Sequence, residues 1–149
     1  AQAAPADLIK KDQDKIFDLA KNHNKYAIKD INDSRVERKG KDVHVYMGAI
    51  RTHFSPDNIE GIKVEDTVYF HITNLEQDWD VPHGFAIQGA RNSELLVMPG
   101  DTRTLVWKPI REGVYPFYCT DFCSALHQEM QGYVRVSAES SKVKIKFNK

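Results

Sequence analysis

The side chains best suited to chemistry lie in one short stretch of the chain, with one more upstream. Cys119, Cys123, His127 and Met130 supply two thiols, an imidazole and a thioether at offsets 0, 4, 8 and 11. A second imidazole comes from His83. Thiolates and thioethers are soft ligands, and imidazole also suits copper, so the set favours copper over hard ions such as magnesium or calcium.

Other interpretations of the two thiols stay open. A structural zinc site more often uses paired Cys-x-x-Cys motifs or a Cys₂His₂ set, and it has no use for a thioether. A disulfide between Cys119 and Cys123 would leave His127 and Met130 without a shared purpose. Two buried free cysteines are a further alternative. The joint spacing favours a copper site over each of these.

Two cysteines, rather than one, favour two copper ions. A mononuclear blue-copper site uses two histidines, one cysteine and a weak axial methionine. Two thiolates four residues apart on one loop can instead each bridge two ions, which need one terminal imidazole apiece, from His83 and His127. Met130 would cap one ion. The remaining weak position would take a backbone carbonyl, for which Asp121 at the loop centre is the natural donor.

This pattern resembles the dinuclear CuA centre of subunit II of haem–copper cytochrome oxidases and of the C-terminal cupredoxin domain of nitrous-oxide reductase. In that family both cysteines bridge, two histidines and a methionine are terminal ligands, and the carbonyl two residues after the first cysteine completes the set. The resemblance therefore implies six metal ligands: His83, Cys119, Asp121 (through its carbonyl), Cys123, His127 and Met130.

The residues around the ligands resemble the reductase more than the oxidase. The matching positions in the loop are Phe122, Ala125, Leu126, Glu129 and Met130. The run His83-Gly84-Phe85 also matches, whereas Asp121 stands where the reductase family often has tryptophan. A carbonyl ligand is indifferent to its side chain, so the implied ligation survives this departure. The resemblance covers about Val43 to Val136.

The resemblance implies one-electron transfer. A small c-type cytochrome or a cupredoxin would reduce the dinuclear copper, which would pass electrons to the catalytic copper-sulfide cluster of a nitrous-oxide reductase. In the family seven histidines in a propeller domain hold that cluster, and this chain has only six histidines. We therefore expect an electron-transfer domain of an oxidoreductase that does not reduce nitrous oxide by itself.

The resemblance also implies a setting. The parent enzyme is a homodimer, the isolated domain could be a monomer, and both parent families place this site in the periplasm or on the outer face of the inner membrane. Two alternatives remain open: a soluble CuA domain of oxidase subunit II, and a copper carrier or assembly protein with no redox role.

Composition is consistent with one soluble domain. The chain has 149 residues and a formal net charge of zero, whereas nucleic-acid binders usually carry a basic excess. The longest run without a charged residue has ten residues, from Val81 to Ala90, which is too short to cross a bilayer.

The elements that must position the ligands are predicted to be strands. Val68, Phe70 and Ile72 alternate with polar neighbours, and many further short apolar runs are separated by turn signals. Residues 1–42 are predicted to be an N-terminal helix (Asp7–Asn22) and a linker arm, and residues 43–149 the CuA-binding domain. The predicted class is all-β, a cupredoxin-like Greek-key β-sandwich or barrel with an N-terminal helical or irregular extension.

Residues outside the ligand set receive simpler predictions. Asp80 is a candidate to orient His83, and an acidic docking face is predicted from Glu76, Asp78, Asp80, Asp121 and Glu129. Met47, Met98 and Trp107 are interpreted as core residues, and Trp79 as core or part of an electron path. The other histidines are interpreted as surface or hydrogen-bonded strand residues: His23, His44, His53 and His71.

Overall fold

A computed structural model of the 149-residue chain describes residues 25–50, 53–77, 81–88, 94–120 and 130–149. Within these ranges the regular structure is almost entirely β, which confirms the predicted class. A short 3₁₀ helix, Ile31–Asp33, precedes the first strand. The strands are β1 (Arg35–Lys39), β2 (Asp42–Ile50), β3 (His53–Ser55), β4 (Asn58–Lys63), β5 (Thr67–Asn74), β6 (His83–Ile87), β7 (Leu95–Val97), β8 (Thr102–Trp107), β9 (Gly113–Tyr118), β10 (Gln131–Ser137) and β11 (Lys146–Phe147).

The first sheet is built around two parallel strands. Its order is β1-β2-β5-β8, and β3 also pairs with β2. β2 and β5 are parallel, whereas β1, β3 and β8 are antiparallel to their neighbours. A parallel pair cannot be joined by a tight hairpin. The chain accordingly passes through β4 of the other sheet between β2 and β5.

The second sheet holds the strands that carry the predicted ligands. Its order is β11-β4-β10-β9-β6-β7. β9 is antiparallel to both β10 and β6, and β6 is antiparallel to β7. β6 and β9, which β7 and β8 separate along the chain, are therefore neighbours in space, and β10 lies on the other side of β9.

The inner faces of the two sheets meet in an aromatic core. Phe54 and Phe70 come from the first sheet, and Phe85 and Phe117 from the second. The Phe85 ring centroid lies 5.6 Å from that of Phe54, 5.3 Å from that of Phe70 and 5.4 Å from that of Phe117. All four side chains are fully buried, and each such burial contributes about 1.5–3 kcal/mol. A β-sandwich follows from this packing.

The period-two pattern correctly predicted the strands that line the core. Six alternating residues of β2 and β5 are fully buried: Val43, Val45, Met47, Val68, Phe70 and Ile72. Trp107 is also buried, as predicted. Met98 was interpreted as core, which is wrong: it is 40% exposed after β7.

Residues 25–42 contain more structure than the predicted linker arm. Arg35–Lys39 form β1, which pairs with β2 across the proposed boundary at residues 42–43, a boundary that stays a prediction. The predicted helix 7–22 lies outside the described residues. No helix in the described part of the chain has the length and apolar character of a membrane span.

Candidate metal centre

His83 begins β6 and is placed on its core-facing side. It pairs with Val97 of β7, and its side chain is fully buried. Side chains of a strand alternate between faces, so His83 shares a face with Phe85, whose ring contacts Phe70 and Phe117 in the core. The imidazole therefore points into the sandwich at one end of the sheet.

Cys119 and Met130 are joined directly through their backbones. The Cys119 N–H donates a 3.0 Å hydrogen bond to the Met130 carbonyl oxygen, which extends the β9–β10 pairing by one step beyond Tyr118 and Gln131. Cys119 is 5% exposed and Met130 is fully buried. The chain therefore leaves β9 and returns to β10 at one fixed point, and both sulfur-bearing side chains are buried there.

The sheet order brings His83 to the same place. Tyr118, the last residue of β9, pairs with Gln131 on one side and with Ala86 on the other. His83 is three residues before Ala86 on the strand that pairs with β9. The structure thus brings three of the predicted ligands, a histidine, a cysteine and a methionine, to one end of the second sheet.

Glu76 is the polar partner of His83. Its Oε1 lies 3.0 Å from His83 Nε2, and the Glu76 side chain is only 9% exposed. An ionised carboxylate only accepts hydrogen bonds, so Nε2 carries the proton in this pair and the neutral ring keeps its lone pair on Nδ1. Metal-binding histidines commonly donate their second ring N–H to a carboxylate in this way.

Asn74 ties together the segments around His83. Its buried side-chain amide donates to the carbonyls of Val81 and Val97, at 2.9 Å each, and its Oδ1 accepts the Glu76 N–H at 2.9 Å. Val81 precedes His83 by two residues, and Val97 is the strand partner of His83. One amide therefore fixes the positions of both His83 and the carboxylate that contacts it.

The other predicted site residues lie outside the described residues. They are Trp79, Asp78, Asp80, Asp121, Cys123, His127 and Glu129. Within the described ranges, no group of three or more His, Cys, Asp or Glu side chains could hold a metal ion. His83 and Cys119 are the described members of the predicted set of these types, so the full ligand set stays a prediction.

Two predictions about the surroundings need correction or extension. Glu76 was expected on an exposed acidic face, but its side chain is largely buried against His83. Sequence reasoning offered Asp80 to orient His83 and missed Glu76 in that role. The available signal was Asn74 ending an apolar strand, because asparagine commonly closes turns that bring flanking residues together.

Relatives in sequence cover a large part of the chain. A nitrous-oxide reductase of Cupriavidus necator is 38% identical over 112 residues, which are 75% of this chain and 17% of the relative. The Stutzerimonas stutzeri nitrous-oxide reductase is 34% identical over 104 residues, 70% of this chain and 16% of the relative. A cytochrome c oxidase subunit 2 of Thermus thermophilus is 33% identical over 92 residues, 62% of this chain and 64% of the relative. No protein-family model matches the chain.

Solved structures agree on the fold. A chain of a heme-copper terminal oxidase dimer superposes with a TM-score of 0.60 at 23% identity, covering 89% of this chain and 94% of that one. Copper nitrite reductase from Nitrosomonas europaea gives a TM-score of 0.56 at 19% identity, over 68% of this chain and 43% of the other. The blue copper protein auracyanin A of Chloroflexus aurantiacus gives 0.51 at 13% identity, over 64% and 99%.

The reductase relatives are much longer than this chain, which spans about a sixth of their length. The alignment therefore concerns one domain of them. The shared fold, the buried His83, Cys119 and Met130 at one end of the second sheet, and the two groups of relatives agree with one another. The chain is a CuA-type cupredoxin domain, homologous to nitrous-oxide reductase and to cytochrome c oxidase subunit 2.

Proposed function

We propose that this domain transfers single electrons at a dinuclear copper centre. The proposed ligands are His83, Cys119, Asp121 (by its carbonyl), Cys123, His127 and Met130. The observation that carries the proposal is the backbone hydrogen bond from Cys119 to Met130 beside β6, which gathers buried imidazole, thiol and thioether groups at one end of the sandwich.

The described donors fit copper chemically. Thiolate and thioether sulfur are soft ligands, which suits copper and disfavours magnesium or calcium. The Glu76 carboxylate beside Nε2 supports ligation through Nδ1 of His83. A copper centre held by these residues would supply rapid one-electron oxidation and reduction.

The protein's own contribution is rigidity and exclusion of water. His83 and Met130 are fully buried and Cys119 nearly so, and all three belong to or directly flank hydrogen-bonded strands. Ligands held by packed strands keep their positions when the charge of a bound ion changes. A site of this kind needs little rearrangement on electron transfer, which is a property that a fast carrier requires.

We assign the domain to a nitrous-oxide reductase. A small c-type cytochrome or cupredoxin would donate the electron, and the catalytic copper-sulfide cluster of the enzyme, which this chain does not contain, would accept it. The identities of 38% and 34% to two nitrous-oxide reductases support this choice. A periplasmic location and a homodimeric parent belong to the same proposal.

A second candidate is a domain of oxidase subunit II. It is favoured by the 33% identity to the cytochrome c oxidase subunit 2 of Thermus thermophilus, over 62% of this chain and 64% of the relative. The two candidates share the copper site and differ in the acceptor. The reduced protein should drive nitrous-oxide reduction by a reductase that lacks its own CuA domain; electron delivery only to an oxidase core would favour the second candidate instead.

Metal content and electron paramagnetic resonance test the site itself. An unpaired electron shared equally between two copper nuclei of spin 3/2 gives seven hyperfine lines, whereas one nucleus gives four. We expect two copper ions per chain and seven lines. One ion with four lines would refute the dinuclear site, and readily exchanged copper without a redox signal would indicate a carrier.

Variants of the cysteines and histidines sharpen this test. Cys123→Ser should abolish the seven-line spectrum, since one bridging thiolate is lost. His83→Gln should do so as well, and His53→Gln on β3 is the matched control that should leave the spectrum unchanged. A normal spectrum in folded Cys123→Ser or His83→Gln protein would contradict the proposed ligand set.

A further inference from the structure

Two histidines outside the proposed ligand set lie on the outer face of the first sheet. His44 of β2 and His71 of β5 share a hydrogen bond, with His44 Nδ1 2.8 Å from His71 Nε2. The other ring nitrogen of His71, Nδ1, lies 2.7 Å from the Thr104 hydroxyl oxygen on β8. Both nitrogens of His71 are therefore engaged across three neighbouring strands, as the interpretation of hydrogen-bonded strand histidines predicted.

The segment before β1, residues 25–34, here called the arm, covers this pair. The Tyr26 ring stacks on the His71 ring, with centroids 3.8 Å apart and planes 2° from parallel. Although His71 points away from the core, it is only 1% exposed. The Ile28 N–H donates to the Thr73 hydroxyl at 3.3 Å, and the Ile28 side chain is buried. The arm is thus docked beside the histidine pair.

The hydrogen bond between the two rings limits how many protons the pair can hold. The contact between the two rings holds one proton: an N–H on one of the two facing nitrogens donates to the lone pair of the other. A second proton would place an N–H on each of two nitrogens 2.8 Å apart, with two positive rings facing each other. A doubly charged pair is therefore incompatible with the docked arm unless the His71 ring turns away toward water.

The charged groups around the pair reinforce this limit. The arm itself brings Lys25, whose Nζ lies 5.0 Å from the centroid of the Tyr26 ring. On β1, Arg35 lies over the Tyr46 ring at 3.9 Å and is paired with Glu37 at 2.6 Å, so those two charges largely offset each other. The remaining facing groups are phenols and hydroxyls: Tyr26, Tyr46, Tyr69, Thr73, Thr102 and Thr104.

We propose that the His44–His71 pair is a proton-sensitive latch, which holds the arm on the first sheet while His71 is neutral and releases it when both rings become charged. This inference concerns the outer face of the first sheet and does not depend on the proposed electron transfer. The described members of the proposed ligand set, His83, Cys119 and Met130, belong to the second sheet or directly flank its strands. Release would remove both the Tyr26 cover and the nearby Lys25 charge, and His71 could then meet water.

The effect of pH on docking of the arm follows from the difference between the pKa of His71 in the docked and released states. Burial, the His44 charge and the Lys25 charge together lower the pKa of His71 from 6.5 to about 4. Once the arm has left, the pKa of the His71 ring would return toward its ordinary value. Protonation of His71 therefore favours the released arm as pH falls below about 6.5. The change in the docking equilibrium constant is complete below about pH 4 and is at most about 300-fold.

Hydrogen exchange of the Ile28 amide measures this equilibrium in the full chain. We expect the protection factor of this amide, corrected for intrinsic exchange, to fall by about 100-fold or more between pH 7 and pH 4. Protection of the β2 core amide of Val45 should persist, because only the arm leaves. A constant Ile28 protection factor over this range, or parallel loss at Val45, would overturn the latch.

Two variants separate the latch from general acid sensitivity. His71→Gln keeps a neutral side chain at every pH and should make Ile28 protection independent of pH, while His53→Gln is the control that should retain the dependence. Tyr26→Ala removes the cover, so the His71 imidazole protons should titrate in NMR spectra near 6.5 instead of near 4. Titration of His71 near 6.5 in the unmodified chain would also overturn the proposal, even if His71→Gln failed to fold.

Discussion

Glu76 and His83 share a hydrogen bond of 3.0 Å although seven positions separate them in the chain. The carboxylate requires a proton on Nε2, so it selects the tautomer that offers Nδ1 to a metal. The buried position of both side chains strengthens this selection, because water cannot easily replace either partner. Glu76 is thus a positioning residue for the proposed ligand.

Glu76→Gln should keep the fold and weaken this selection. Removal of a negative charge next to His83 should raise the reduction potential of the copper-loaded protein by less than about 60 mV, the value of a tenfold change for one electron. Nitrogen NMR of the metal-free variant should show a mixture of the two His83 tautomers. The matched control is Glu94→Gln, at an exposed glutamate before β7, which should change neither. An unaltered tautomer in Glu76→Gln would contradict the positioning role.

Met130→Leu tests the proposed weak ligand. A methionine-to-leucine exchange conserves volume and usually costs less than about 1.5 kcal/mol, so the fully buried site should stay folded. We expect the variant to retain copper and to show a shifted potential, as loss of a weak thioether ligand requires. Met98→Leu, at an exposed methionine, should leave the potential unchanged. Complete copper loss from folded Met130→Leu protein would show that Met130 is not a weak ligand.

At this scale the sequence was informative where the chemistry is carried by rare residue types. The offsets of Cys119, Cys123, His127 and Met130, with His83 upstream, predicted a shared metal site, and the full ligand set stays a prediction. The strand order brings the described members of the set, His83, Cys119 and Met130, to one end of the sheet. Glu76 could not be found in this way. Its role depends on the hydrogen bonds of Asn74 to Val81 and Glu76, and glutamate is too common for its spacing to stand out.

At the scale of elements, the start of β10 is the tightest point near the site. Gly132 has no room for a side chain, because a Cβ there would overlap the Asp57 carbonyl oxygen and the Phe117 ring. The Asp57 carbonyl cannot simply move away, since it accepts the Tyr133 N–H at 2.8 Å. The glycine thus lets β10 pass close to its neighbours two residues after Met130.

Gly132→Ala should therefore destabilise the fold by about 1–3 kcal/mol, the usual range for overpacking, and displace Met130. Gly40→Ala is a useful control. Its Cβ would meet open space, but φ of +61° makes alanine cost about 1–2 kcal/mol. Urea denaturation should show a loss of stability in both variants, whereas only Gly132→Ala should alter the copper spectrum. An unchanged spectrum in Gly132→Ala would mean that the strand start does not position the methionine.

Strands with an alternating or continuous apolar pattern were predictable, and strands without such a pattern were not. β5 alternates apolar and polar residues because one side is buried, and this period is visible in the sequence. β1 contains one buried side chain, Val36, among four charged residues, so no periodicity marks it. β4 is obscured by the turn-forming residues Ser55-Pro56-Asp57-Asn58 at its start and by Gly61, whose φ of +94° is unusual in a strand.

At the scale of the whole molecule, the two ends of the sandwich differ. The end with His83 also exposes apolar side chains close to the predicted ligands: Leu96 (48% exposed), Met98 (40%) and Tyr118 (42%). Leu96 pairs with Gly84, next to His83, and Tyr118 precedes Cys119. Among the described residues, three other apolar side chains are more exposed, but they lie toward the opposite end of the sandwich, after or near the far ends of β8 and β9: Val106 (58%), Ile110 (69%) and Val114 (53%). An electron donor that binds by apolar contact has a short path to the site at the first end.

Leu96→Gln should slow reduction by a c-type cytochrome without changing the copper spectrum. We expect the second-order rate constant, measured by stopped flow, to fall by about tenfold, which corresponds to about 1.4 kcal/mol of lost contact. Ile110→Gln makes the same chemical change at the opposite end and should leave the rate unchanged. Equal rates in the two variants would place donor binding elsewhere on the molecule.

The hydrogen bond between Cys119 and Met130 has a consequence for the engineering of the proposed metal site. Because it belongs to the β9–β10 pairing, the two attachment points of residues 120–129 are set by the sandwich and not by the intervening sequence. We therefore expect residues 120–129 to be replaceable as one unit by a loop of another sequence. A graft from another copper protein should need only matched ends to fold in this framework, so that new redox properties can arise without redesign of the scaffold.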